Sequence, residues 1–411
     1  MYKKNFFLIF FFITLSIIAL ARLYDNAINR DAWQYGEWLI NYQHGFVRRG
    51  IAGEIIYLFS VIFNDNIQIS FFVILSSIVL LYFFLNYYFI KDLKLNFINY
   101  FIIFSPIFYF LFIVVAKIGI RKETILYIFY LLYLIQLSSE NFILKKNWKF
   151  ILLFPLLLLN HEGSFFYLPY LILPLFFIIK KNELKELIFQ AFTLVIISSL
   201  LEIFLYYNRG SLEHILTICQ SLGQYAPVQC DTWGPIGLLE KIPPIFSADQ
   251  GLISYPPIQE YSFSDLKTYF GFLFYVFYGF CPLFVFFKFV SLKKNKFLID
   301  KKKYLLMLLA AFIFSMPLFP LAQDWSRWVS IHFHLTAFMI FFLQRIKLVN
   351  YENHFVFNKI NNYVINKRAK KFFLISLFLY ATLLQYDVAF QDDAKLESTY
   401  HKVFIQIKSK Y

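Results

Sequence analysis

Apolar runs of roughly seventeen residues or more recur from the N-terminus almost to the C-terminus, each long enough to cross a hydrocarbon core about 30 Å thick as a helix. Nothing else constrains the fold of this 411-residue chain as strongly. Its residues are 60% hydrophobic, against about 45–50% in soluble domains, so one water-surrounded core cannot hide them. A membrane β-barrel would alternate apolar and polar residues over about ten-residue strands, and that pattern is missing. The expected fold is therefore an all-α integral membrane protein with about eleven transmembrane helices. The runs lie at 5–21, 68–90, 97–116, 124–139, 150–160, 164–180, 187–206, 268–288, 304–320, 328–344 and 372–388, the fifth being short.

A formal charge of +14 invites a nucleic-acid reading. The placement of the charges speaks against one. With the N-terminus in the cytoplasm, most Lys and Arg fall in inner segments such as Lys293-Lys294-Asn295-Lys296 with Lys301-Lys302-Lys303, and Lys367-Arg368-Ala369-Lys370-Lys371. Most acids fall outside, as the positive-inside rule requires, so the basic excess encodes orientation and no nucleic-acid partner is expected. Lys3-Lys4 ahead of the first run could open a signal peptide, but the run is longer than a signal core and reads as an uncleaved span. The composition bias toward Phe, Ile, Leu, Lys and Asn fits an AT-rich bacterial genome, and the expected location is a bacterial cytoplasmic (inner) membrane.

No internal repeat or linker divides the chain, so residues 1–411 read as a single polytopic domain. Two outer loops, 22–67 and 207–267, are long enough to carry structure. In the first, Ile51 to Phe59 is apolar, too short to span and interrupted by Glu54, which predicts a helix along the membrane interface. The second carries Pro227, Pro235, Pro243-Pro244 and Pro256-Pro257, which predict short helical pieces. Cys219 and Cys230 share this loop, where a structural disulfide can form, whereas Cys281 lies in a span.

Six outer-side clusters combine charges with polar or aromatic residues: Asp25 with Arg30-Asp31; Glu37; His44-Gly45-Phe46-Val47-Arg48-Arg49-Gly50; Lys117 with Arg121-Lys122-Glu123; Asn160-His161-Glu162-Gly163; and Gln323-Asp324-Trp325-Ser326-Arg327-Trp328. An ionisable group at membrane depth costs on the order of 2–3 kcal/mol unless paired, hydrated or liganded, so a shared polar cavity is expected. Arg48 and Arg49, between Gly45 and Gly50, suit a phosphate or pyrophosphate, or else anchor the interfacial helix to headgroups. Arg121 and Lys122 run against the topological bias and either bind phosphate or pair with Glu123. His161-Glu162 can serve as base, ligand or sugar acceptor, or can cap a helix; two such groups fall short of a metal site, and none is expected. Asp324 and Arg327 can pair on one helical face, while Trp325 and Trp328 offer stacking surfaces for sugars. Asp31, in the aromatic loop Arg30-Asp31-Ala32-Trp33-Gln34-Tyr35-Gly36-Glu37-Trp38, is the preferred general base, with Asp25 and Glu37 as competitors.

This layout resembles the GT-C superfamily of polytopic glycosyltransferases, through an inside N-terminus, a first span, an acidic first outer loop leading to an interfacial helix, and a many-helix bundle. Arg30-Asp31-Ala32-Trp33-Gln34-Tyr35-Gly36 carries the resemblance in sequence. It implies a polyprenyl-(pyro)phosphate-linked sugar donor, a glycan or lipid-linked acceptor, chemistry at the outer face among membrane lipids, and Asp31 as catalytic acid. The loop departs from the family in lacking a paired Asp-Asp or Asp-Glu. A second resemblance, to polymerases and ligases of surface polysaccharide, rests on the late outer loop and on Arg48, Arg49, Arg121 and Arg327. On these readings Arg48, Arg49, Arg121, Lys122 and Arg327 hold lipid phosphate, and His161, Glu162, Asp324 and Trp325 bind sugar. A lipid-linked glycan flippase or other transporter is the alternative class.

Overall fold

The computed structural model describes residues 6–93, 95–109, 120–139, 142–232, 234–240, 263–292, 300–321, 325–351, 358–360, 367–386 and 396–398. In chain order the helices begin with α1 (Phe6–Asn29), α2 (Gln34–Trp38), α3 (Ile51–Ile62), α4 (Ile67–Ile90), α5 (Phe97–Ile103), α6 (Glu123–Leu137) and α7 (Trp148–Asn160). Next come the short α8 (Pro169–Ile172) and α9 (Leu175–Ile178), then α10 (Leu184–Tyr207), α11 (Leu212–Leu222) and the short α12 (Gly234–Gly237). The remainder are α13 (Phe263–Phe289), α14 (Lys301–Ser315), α15 (Leu318–Leu321), α16 (Trp325–Arg345) and α17 (Lys367–Leu383). Strand structure among the described residues is confined to two antiparallel ribbons, Val290–Leu292 with Val349–Tyr351 and Leu384–Tyr386 with Leu396–Ser398.

Among the described residues, four helices are long and apolar enough to cross a membrane: α1, α4, α10 and the Phe270–Phe289 part of α13. Ile13, Ile17, Phe192, Leu200 and Phe277 each leave more than half their surface uncovered. Water would penalise such faces at about 25 cal/mol per Å², and hydrocarbon would not, so this is the surface of a helical membrane protein.

Most of the other expected spans are shorter or interrupted. Residues 164–180 form no single helix: a 3₁₀ turn at Glu162–Tyr167 gives way to α8 and α9. Pro169 and Pro174 open those two pieces, since proline lacks the N–H a continuing helix needs and fits its first turn. Only Phe97–Ile103 of the run at 97–116 is a described helix, and residues 110–119 lie outside the described set. α16 has the length of a span, yet its side chains from Trp328 to Leu343 are all buried. It is a core helix of its unit.

The chain divides into two compact units, Met1–Lys91 with Gly119–Ile242, and Asp92–Ile118 with Pro243–Tyr411. In the first, α1 packs along α4, α4 against α6 and α3, and α10 against α7. The α1 seam is Leu8, Phe12, Leu15, Ala19, Leu23 and Ala27, buried at the three-to-four-residue spacing that keeps one helical face inward. Asn66 caps α4 by accepting the Gln68 N–H at 2.7 Å, and Asn86 inside α4 donates to the Tyr82 carbonyl at 2.8 Å, so neither amide is left unmatched by the helix. The second unit is organised on α16, where His332 meets the Ser315 hydroxyl at 2.6 Å and Gln344 donates to Asn99 at 2.8 Å. Tyr278 and Tyr380 there exchange hydrogen bonds with each other's backbone carbonyls at 2.7 and 2.6 Å.

Candidate functional site

Within the first unit, α1, α7 and α10 end, and α4 and α6 begin, at the same level of the bundle, and the connections there carry the charged residues. α1 runs on past the expected span, and Asn29 reaches back one turn to Asp25 at 3.1 Å. Arg30 turns the chain with a left-handed φ of 51°. Asp31 then caps α2: its Oδ1 accepts the backbone N–H groups of Trp33 at 3.0 Å and Gln34 at 2.6 Å. The acid singled out as base is thus engaged as a helix cap.

The deeper acid is Glu37, fully buried on α2, which pairs with the Arg121 guanidinium. His161 bridges outward from this pair, its Nε2 standing 3.7 Å from Glu37 and 3.3 Å from Glu123. Its Nδ1 accepts the Gly163 N–H at 3.0 Å, which leaves the ring proton on Nε2, facing the two carboxylates. His161 is also the cap of the turn that follows α7.

Beside this group, Arg49 grips Glu162 through Nε at 2.8 and 2.7 Å and through a terminal nitrogen at 2.5 Å, and Arg48 adds a contact at 3.3 Å. Burial by itself would raise the Glu162 carboxyl, but the two guanidiniums together hold it well below the usual carboxylate range. Arg49 takes a left-handed φ of 64°, an expensive choice for a side chain with a Cβ. In that pose its carbonyl accepts the Lys122 ammonium at 2.5 Å. Lys122 is buried, and desolvation pushes it down to about 7 even though Glu37 opposes the shift. Gly50 and Gly53 permit close approach: a Cβ at Gly50 would lie 2.1 Å from the Tyr42 ring, and one at Gly53 1.9 Å from the Ile40 carbonyl oxygen.

A cap from the 207–267 loop covers the 22–67 loop. Val228 donates to the Arg30 carbonyl at 3.0 Å, Tyr35 to that of Tyr225 at 3.1 Å, and Arg48 N–H to that of Asn208 at 2.9 Å. Cys219 and Cys230 are joined as a disulfide within this cap, and Cys281 is a free thiol. His44 faces Glu213 at 3.4 Å and the His214 ring at 4.6 Å, in a more exposed cluster.

The structure therefore gathers Glu37, Arg48, Arg49, Arg121, Lys122, Glu123, His161 and Glu162 into one network. Among the described residues, the Asp25 and Asp31 side chains make the local contacts described above. Arg327 lies in the second unit with its guanidinium 5.2 Å from the Trp328 ring centre. Asp324 and Lys117 lie outside the described residues, as does the Trp325 side chain. Sequence reasoning passes over Glu202, whose Oε1 is buried without a hydrogen-bond partner on α10 and which faces Glu162, Arg49 and Arg48. A lone acid inside an apolar run was the available signal. Among the described residues no group of three or more His, Cys, Asp or Glu is arranged to hold a metal. No protein family, curated protein or solved structure gives a match to this chain.

Proposed function

We propose that this protein is a membrane glycosyltransferase of GT-C type. It transfers sugar from a polyprenyl-(pyro)phosphate carrier at the outer face of a bacterial cytoplasmic membrane, in cell-envelope polysaccharide assembly. One observation carries the reading: residues from four separate segments converge on a buried acid, imidazole and guanidinium network at one end of the helix bundle. The opposite helix ends bear Lys91, Lys145, Lys146, Lys149 and Lys185, which the positive-inside rule assigns to the cytoplasm. The network then faces outward. Stability alone gives little reason to bury so many ionisable groups, because apolar replacements of such networks are often neutral or stabilising.

The chemistry divides between the two halves of the network. Glu123, beside the Nε2–H of His161, accepts the proton of the acceptor hydroxyl as its oxygen bonds to the anomeric carbon. The bond from that carbon to the phosphate oxygen breaks, and the departing electron pair stays on a phosphate held by Lys122 and Arg48. Arg121 pairs with Glu37 and holds it in place behind His161. Asp31 keeps α2 capped.

In cells lacking the native copy, Glu123→Gln is expected to abolish glycan assembly and Asp31→Asn to retain it, since Asn caps a helix as well as Asp does. The opposite pattern moves the base to Asp31. Normal surface and lipid-linked glycans in a deletion strain would remove the proposal altogether. A flippase is the second reading, favoured by the interrupted segment at 162–178 beside the network, because discontinuous helices line transport sites. Accumulation of lipid-linked intermediates on the cytoplasmic leaflet of the deletion strain supports it; accumulation on the outer leaflet supports the transferase.

A further inference from the structure

A groove of about 160 Å³ opens between α3, α4, α6 and α7 of the first unit. Its walls include Ile51 and Ile55 of α3, Ile74 and Ile78 of α4, Ile125 of α6 and Leu156 of α7. Two polar side chains reach it. Trp38 spends its indole N–H on the Ile120 carbonyl at 2.8 Å, but the buried Oδ1 of Asn160 has no partner. Three walls continue directly into the charged network: Ile51 follows Arg48-Arg49-Gly50, Ile125 follows Lys122 by three residues, and Asn160 precedes His161. Asn160 also touches the network, its Nδ2 donating to the Lys122 carbonyl at 3.4 Å.

Lys122 is the cation at this junction. Its Nζ bonds to the Arg49 carbonyl, and among the described residues no carboxylate lies within ion-pairing distance of it. Protonated, it keeps two donors to spare at the N-terminus of the 15-residue α6, where backbone N–H groups also favour an anion. The Nε of Arg48 is a second buried donor without a partner. At the far edge, Ile55 and Leu156 are about half exposed, so the groove has an apolar exit.

We infer that this groove seats the head-proximal end of the single branched chain of a polyprenyl phosphate, whose phosphate is held by Lys122 and Arg48. This rests on the lipid-carrier reading above and adds where the carrier docks. An apolar cavity of roughly this size holds about six carbon atoms, close to one five-carbon prenyl unit, so the remainder of the chain runs out past Ile55 and Leu156. A diacyl lipid would place a polar glycerol ester between phosphate and chains. The groove offers that backbone one orphan acceptor and no orphan donor.

The test is binding of a long-chain polyprenyl monophosphate, phosphatidic acid and inorganic phosphate to the full chain in detergent. Wild type is expected to prefer the polyprenyl phosphate. Ile78→Trp, which fills the groove, is expected to weaken it about tenfold or more while inorganic phosphate binding stays unchanged. Ala52→Leu, a milder filling from α3, is expected to weaken polyprenyl phosphate binding by less, again with inorganic phosphate binding unchanged. Lys122→Met is expected to lose both ligands. Polyprenyl phosphate binding unaffected by both groove fillings overturns the seat, as does equal competition by phosphatidic acid. If the fillings have no effect while Glu123→Gln still abolishes glycan assembly, the groove inference fails and the transferase reading survives. If wild type binds neither phosphate ligand and the deletion strain keeps normal glycans, both fail.

Discussion

Lys122 is stabilised as an amine in the folded protein, and its charge carries a cost that depends on pH. Burial dominates, Glu37 and Glu162 favour the ammonium, and Arg49 and Arg121 oppose it. Its value of about 7 lies below the ordinary 10.5, so below about 7 both folded and unfolded chains hold the proton and the folded state bears the whole penalty. Between those values only the unfolded chain holds it, and stability rises with pH. Thermal unfolding in detergent is expected to show that rise, and Lys122→Met is expected to flatten it. The sequence marks Lys122 as unusual because it is a cation on the acidic side, and that signal is a topological one. No such signal marks Asp31, where a carboxylate two residues ahead of Trp33 is suited to cap α2. No sequence pattern separates a capping acid from a catalytic one, because both want an oxygen near exposed N–H groups.

Among the elements, α3 is the clearest success of reading by composition: an apolar stretch too short to span, with Glu54 interrupting it, does form a separate helix. Its position against residues 39–40 was not legible, since the contact depends on the absence of a side chain at Gly53. Gly53→Ala places a Cβ 1.9 Å from the Ile40 oxygen, and backbone cannot yield as a flexible side chain can. The expected loss is about 1–3 kcal/mol in unfolding free energy, read as a lower midpoint in chemical denaturation. The segment 164–180 is not the single helix expected, for the opposite reason. Hydropathy summed over a window ignores Pro169 and Pro174, which end helices without making the window any less apolar.

At the scale of the whole molecule, hydropathy identified a helical membrane protein because outward-facing Ile and Phe must meet hydrocarbon somewhere. Four helices among the described residues are long and apolar enough to cross a membrane, against about eleven expected runs, and α16 shows that such a run can be covered by protein as well as by lipid. The convergence of the charged segments was legible only as a shared side of the membrane, since their pairing depends on which helix ends meet. Orientation can be checked through thiols: in intact spheroplasts a membrane-impermeant maleimide is expected to label Cys219 and Cys230 only after reduction. Labelling of either one without reductant would break the pairing, and no labelling even after reduction would reverse the topology.

The Cys219–Cys230 link has one more consequence. The cap that rests on Arg30 and Tyr35 can be locked only after its two thiols have surrendered electrons, which a glutathione-rich cytosol would prevent. On the outward orientation proposed above, chain that stalls before translocation keeps an unlatched lid, and its charged interior stays unfinished until an oxidising compartment is reached.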